Sequence, residues 1–228
     1  MSRSSKPPSE AEATRILLVD DHSIVRQGMR MLISQEPDLV VCGEAASAHE
    51  ALKAVERTQP NVAVVDLSLK DSSGMALIKD LKIRHPKVLV LVVSMRDESF
   101  YAERVLRAGA KGYISKEEGT EKLVEGIRAV LTGKVYVSES LAARLLSKYV
   151  GGGSAGSESP VQRLSDRELE VFEWIGQGLT TREIAEKLHL SVKTIESHRE
   201  HIKEKLGLDN ATELLKHAIE WNQTIQGS

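Results

Sequence analysis

The chain has a single cysteine, Cys42, and no apolar stretch near the roughly 20 residues needed to cross a bilayer. One thiol excludes an internal disulfide, and the leading MSRSSKPPSEAEATR has no apolar core of the kind a signal peptide needs. These absences predict a cytosolic (cytoplasmic) protein with no membrane partner. Excess charge is lacking too: 31 Lys and Arg stand against 33 Asp and Glu, and residues 160–228 hold nine of the basic residues against twelve acidic ones. Bulk charge therefore gives no support to nucleic-acid binding, which has to be argued from local geometry. No internal repeat is present.

At 228 residues the chain is long enough for two domains, and GGGSAGSESP at 151–160 marks where to divide it. That composition is a flexible linker. The expected division is 14–133 for the first domain, 134–160 for a connecting helix (SESLAARLLSKYV, 138–150) with the linker, and 161–225 for the second domain.

In the first domain, polar residues sit where apolar runs end. Asp20 and Asp21 close RILLV, Asp66 closes VAVV, Ser94 closes VLVLVV and Lys116 follows GYIS. Periodicity predicts strands at 15–20, 38–44, 62–66, 87–93 and 112–114, with helices at 22–35, 48–58, 73–85, 98–108 and 118–132. Continuous apolar runs separated by helices imply a five-stranded, doubly wound parallel α/β sheet, flavodoxin-like, whose carboxyl edge gathers the polar residues. Three carboxylates packed there repel one another and call for a divalent cation, and hard oxygen ligands suit magnesium. With the metal in place one carboxylate can attack phosphorus while an ammonium and a hydroxyl hold the incoming oxygens.

These residues resemble the receiver domain of two-component response regulators: a paired acid after the first strand, Asp after the third, Ser or Thr after the fourth, Lys after the fifth. The separations of 28 residues from Asp66 to Ser94 and 22 from Ser94 to Lys116 fall in that family's range. The resemblance implies that Asp66 is the phospho-acceptor, supplied by a sensor histidine kinase. It implies that Asp20, Asp21, Asp66 and the Ser68 carbonyl hold Mg2+, with Asp20 acting mainly through water. It also implies that Lys116 and Ser94 bind the phosphoryl oxygens, and that Tyr113 is the aromatic that turns inward. Many receivers carry Pro where this chain has Lys70 and Glu117, which should loosen both turns. Arg96, two residues beyond Ser94, either faces solvent or borders the path of the water that would remove the phosphoryl group.

The second domain reads as four short helices forming a helix-turn-helix unit. Ser165 and Glu168 make an S-x-x-E capping box, Thr180 or Thr181 caps a second helix running to Leu188, and Ser191 caps a third over 192–206 that Gly207 stops. Asn210 or Ala211 opens the last. At about 100° per residue, Val192, Ile195, Ile202 and Leu206 share the core-facing side of the third helix. The opposite side carries Lys193, Ser197, Glu200 and Glu204, flanked by Thr194, Glu196, His201 and Lys203.

LSDRELEV, GLTTREIAEKLHLSVKTIESH and KLG resemble the LuxR-type DNA-binding domain. With the receiver they point to the NarL/FixJ subfamily of response regulators, transcription regulators and not enzymes acting on an external substrate. The resemblance implies binding of double-stranded DNA, with Glu196, Ser197 and Glu200 facing bases and Lys193, Thr194, Arg199 and Lys203 nearer phosphates. A glutamate in the major groove can accept from cytosine N4. The pairs Glu196/Glu200 and Arg199/Lys203 are like-charged at i,i+4, so they argue against a merely solvated helix face. Leu214, Leu215, Ala218 and Trp221 lie at helical spacing on the last helix, which pairs with its twin in that family. A homodimer formed on phosphorylation is the expected DNA-binding species. Two readings of another class compete. A phosphohydrolase of haloacid-dehalogenase type would need D-x-D after the first strand, where this chain has adjacent acids; a protein-interaction module would use the glutamate-bearing helix to bind another regulator instead of DNA, and salt-dependent binding of a duplex separates it from the DNA-binding reading.

Overall fold

The computed structural model describes residues 13–69, 73–118, 121–150 and 160–226. The N-terminal stretch, Lys70 and most of the Gly- and Ser-rich linker lie outside them. Contacts divide the chain into two units, Met1–Leu146 and Ser147–Ser228. No helix among the described residues is long and apolar enough to cross a membrane.

The first unit alternates strand and helix: β1 (Thr14–Val19), α1 (Ser23–Ile33), β2 (Leu39–Ala45), α2 (Ala48–Thr58), β3 (Val62–Val65), α3 (Gly74–Arg84), β4 (Leu89–Ser94), α4 (Glu98–Ala108), β5 (Gly112–Ser115) and α5 (Glu121–Leu131). α6 (Glu139–Val150) follows, its first eight residues inside this unit. The strands pair in parallel in the order β2-β1-β3-β4-β5. Every element expected of this half is present, displaced by at most three residues at either end. β1 and β3 are adjacent, and the chain crosses from one side of the sheet to the other between them, so the crevice of a doubly wound fold opens where these two strands end.

The central strands are covered on both faces. Ile16, Leu17, Leu18, Val62, Ala63, Val65, Leu91 and Val92 are fully buried, each larger aliphatic side chain contributing roughly 1.5–3 kcal/mol. The end of β3 is held close to the start of α3: a Cβ on Gly74 would lie 2.3 Å from the Asp66 carbonyl oxygen and 2.6 Å from Leu67 Cα. Only glycine fits there, and the contact fixes the backbone that carries Asp66.

The second unit holds α7 (Asp166–Gly176), α8 (Thr181–Lys187), α9 (Val192–Leu206) and α10 (Ala211–Gln226). The Ser165 box forms in both directions: Ser165 N–H donates to Glu168 Oε2 at 2.7 Å and Glu168 N–H to Ser165 Oγ at 3.3 Å. Thr180 and Glu183 form a second box that the sequence reading passed over. Gly207 closes α9 at φ 68°, a left-handed cap that favours glycine. Leu169, Val171, Phe172, Ile184, Ile195, Ile202 and Leu214 make the core. Val192, expected inside, is 43% exposed, because the first residue of α9 projects past the edge of this small core. Leu206 is only half-buried.

Candidate functional site

Asp20 and Asp66 are the first residues beyond β1 and β3, and hydrogen bonds along the sheet hold both: Asp20 N–H donates to the Ala45 carbonyl at 3.1 Å and Asp66 N–H to the Val19 carbonyl at 2.8 Å. Ser94 ends β4 and is fully buried, and Lys116 follows β5, with its N–H donating to the Ser94 carbonyl at 2.9 Å. Lys116 Nζ lies 2.6 Å from both Asp20 Oδ2 and Asp66 Oδ2. Burial by itself would depress this ammonium, but the Asp66 charge and the hydrogen bonds to Asp20 and Asp66 outweigh it, holding Lys116 above the ordinary lysine range. It is charged at neutral pH.

Asp20, Asp21, His22 and Asp66 each bring one possible ligand atom within 4.8 Å of the others. Asp21 Oδ1 is buried and accepts no hydrogen bond, with His22 Nδ1 2.8 Å away as an ion-pair partner when protonated. A buried, unsatisfied carboxylate oxygen in an acidic cluster fits a cation, so the residues suit the metal that receiver domains generally bind. Asp20 Oδ1 accepts from His22 N–H at 2.8 Å and Asp66 Oδ1 from Ser68 N–H at 3.2 Å, so Asp20, Asp21, Asp66, Ser68 and Lys116 meet at one edge, while Tyr113 lies within β5. Beside them a cavity of about 570 Å3 is lined by Val25, Met29, Val93, Ile114 and Leu123 and reaches Asp66 and Lys116.

Arg96 is held rather than free. Its Nε donates to Ser68 Oγ at 3.2 Å, its Nη1 to Tyr101 Oη at 2.5 Å, and its guanidinium carbon lies 4.9 Å from the Tyr101 ring centre. Tyr113 is fully buried, its hydroxyl donates to the Arg96 carbonyl, and burial pushes its pKa well above the usual tyrosine range. Sequence reasoning missed His22 and Tyr101. The run Asp20-Asp21-His22 was a usable signal for the first; nothing local marks the second, which meets Arg96 only across the turn into α4.

On α9, Lys193, Glu196, Ser197 and Glu200 share the exposed side. Thr194 is tied to the helix cap, its N–H donating to Ser191 Oγ at 3.0 Å. Arg199 is half-buried and its pKa is lowered by desolvation, while Lys203, with only 18% of its side chain exposed, pairs with Glu200 at 2.9 Å. The like-charge argument is corrected accordingly: one of the two glutamates has an attractive partner three residues on. On α10, Leu214 and Ala218 are fully buried and Trp221 nearly so, its ring 5.4 Å from that of Phe172. These three side chains are packed within their own unit, and among the described residues of the helix the exposed large apolar side chains are Leu215 and Ile219.

Residues 16–128 match the response regulator receiver domain family, and residues 162–218 match the bacterial regulatory proteins of the luxR family. The oxygen regulatory protein NreC of Staphylococcus aureus is 38% identical over 209 residues, covering 90% of this chain and 96% of that protein. RcsB from Salmonella enterica serovar Typhimurium, solved bound to a promoter in the presence of a phosphomimetic, aligns with TM-score 0.66 at 29% identity, covering 90% of this chain and 98% of that one. A further structure, of two RcsB dimers on two parallel DNAs, aligns with TM-score 0.56 at 29% identity over 90% of this chain and 97% of that one. The chain belongs to the response regulators of the NarL/FixJ type, with a receiver domain followed by a LuxR-type DNA-binding domain.

Proposed function

We propose that this response regulator takes a phosphoryl group on Asp66 from a sensor histidine kinase, and that the acyl phosphate controls dimerisation and sequence-specific binding of double-stranded DNA. The observation that carries the reading is the meeting of Asp20, Asp21 and Asp66 in one acidic cluster with the Lys116 ammonium 2.6 Å from two of them. An Asp66 carboxylate oxygen forms the new P–O bond as the P–N bond to the kinase's histidine breaks, the electron pair returning to the imidazole nitrogen. Asp20, Asp21, Asp66 and the Ser68 carbonyl would hold magnesium, which when bound screens the carboxylates from one another and polarises the phosphoryl oxygens. Lys116 and the Ser94 hydroxyl then hold two of those oxygens. The apolar cavity beside the site has room for side chains of the kinase segment that presents the histidine.

The proposed units are a receiver over 14–133, a connecting segment over 134–160 and a DNA-binding domain over 161–225. In the last, α9 enters the major groove through Lys193, Glu196, Ser197 and Glu200, with Thr194, Arg199 and Lys203 nearer the backbone. Self-association runs through the exposed side of α10 at Leu215 and Ile219, with Leu214, Ala218 and Trp221 supporting it from beneath. RcsB, bound to DNA as dimers, supports a dimer as the DNA-binding species. Asp66→Ala is expected to take up no phosphoryl group from acetyl phosphate and magnesium; modification of that variant at an aspartate, read by mass spectrometry, refutes the assignment.

A further inference from the structure

α6 begins with an incomplete cap. Ser138 Oγ accepts from Leu141 N–H at 3.2 Å, as an N-cap serine should. A capping box would carry Glu or Gln at residue 141 to take the Ser138 N–H in return; leucine stands there, and it is buried. Glu98 fills the role from another element. Its Oε1 accepts the Ser138 N–H at 3.1 Å and its Oε2 accepts the Ser138 hydroxyl. The box that starts α6 is thus completed by the first residue of α4.

The neighbouring contacts tie the same segment to the receiver sheet. Tyr136 extends the free edge of β5: Tyr113 N–H donates to its carbonyl at 2.8 Å, and its own N–H donates to the Lys111 carbonyl at 2.9 Å. A Cβ on Gly112 would come within 2.7 Å of the Tyr136 oxygen, so the glycine is what lets this strap lie flat. Arg144 Nη2 donates to the Ser99 carbonyl at 2.9 Å. Toward the phosphoryl site, Glu98 is four residues from Ser94 along a short turn. In that turn Arg96 N–H donates to Ser94 Oγ at 3.3 Å, Arg96 Nε donates to the hydroxyl of Ser68, and Asp97 Oδ1 caps α4 by accepting from Ser99 N–H at 2.7 Å.

We infer that Glu98 is the positioning residue through which the state of Asp66 reaches α6. The inference rests on the phosphoryl reading above. When the Ser94 hydroxyl is drawn to a phosphoryl oxygen it no longer accepts from Arg96 N–H. The turn from Ser94 to Asp97 shifts, and Glu98 leaves Ser138. The first turn of α6, the helix that precedes the DNA-binding domain in the chain, then loses the Glu98 half of its capping box and frays. No wire through the core is needed: one carboxylate, set by the loop that senses the phosphoryl group, either completes the box or does not.

Hydrogen exchange on the full chain tests this, read on the amides of residues 138–142 with and without acetyl phosphate and magnesium, with phosphoryl uptake measured by mass in the same samples. The wild-type protein should exchange there about fivefold faster once phosphorylated, the size expected for one lost capping interaction. Glu98→Ala should be fast in both conditions at an unchanged unfolding midpoint, and Glu98→Gln, whose amide oxygen still accepts, should regain protection without phosphodonor. Phosphoryl uptake with residues 138–142 equally protected overturns the inference alone, as does slow exchange in Glu98→Ala. Failure of uptake in the wild type sinks the assignment of the site and the coupling with it.

Discussion

Lys116 ties stability to the chemistry proposed for the site. It is 10% exposed and neutralises two carboxylates that are themselves almost fully covered. Lys116→Ala leaves Asp20 and Asp66 facing each other without a counter-charge, and removing one partner of such a buried set costs about 3 kcal/mol. Urea melts of wild type and variant should show that loss, and magnesium should restore more stability to the variant than it adds to the wild type. Arg96→Ala frees the Ser68 hydroxyl at the mouth of the site, so loss of phosphate from Asp66, followed by mass after removal of phosphodonor, is expected to run severalfold faster. Glu168 carries a pH dependence. Burial opposes its ionisation, but hydrogen bonds from Lys205 and from Ser165 outweigh that and lower its pKa. A depressed folded value means the contribution is complete above the unfolded pKa of about 4.3 and is lost as pH falls through the folded one. The urea midpoint of the second unit should therefore fall with pH below that value in the wild type, and less steeply in Glu168→Gln.

At the scale of elements, α10 allows its packing to be tested apart from the association proposed for its exposed side. Leu214→Ala should cost about 2–5 kcal/mol by leaving a cavity under α7, whereas Leu215→Asp should leave the unfolding midpoint in place and weaken duplex binding by blocking self-association, read by sedimentation and by titration with operator DNA. The helical spacing of apolar residues was legible in the sequence; which of them pointed into the domain was not, because a stripe of this kind looks the same whether its neighbour is α7 or a second molecule. On α9 the same limit applied to charge. Glu200 and Lys203 pair at i,i+3, so of the two glutamates expected to face bases Glu196 is the one with no ion pair among the described residues. Selection of binding sites from random duplexes should show one cytosine per half-site whose preference relaxes in Glu196→Ala, since only a carboxylate acceptor is lost.

Over the whole molecule, the two units rest on different physics. The receiver buries a continuous five-stranded sheet, while the DNA-binding unit has a small core and depends on capping boxes at the starts of α7 and α8 to hold its helices. Limited proteolysis is expected to cut within the Gly- and Ser-rich residues 151–160 and release two folded fragments, of which only the receiver is stabilised by magnesium. The alternation of elements and the end-of-strand positions of Asp20, Asp66, Ser94 and Lys116 could be read from the chain alone. A strand covered on both faces has to be an uninterrupted apolar run, and the residue that breaks the run must lie at the sheet edge. Strand order, the seating of Lys116 between two acids, the Arg96 contacts with Ser68 and Tyr101, and the Glu98 cap on α6 were decided only by the tertiary structure. Each joins residues between 5 and 96 positions apart, and no local period or composition records which distant side chain will supply a missing charge or hydrogen bond.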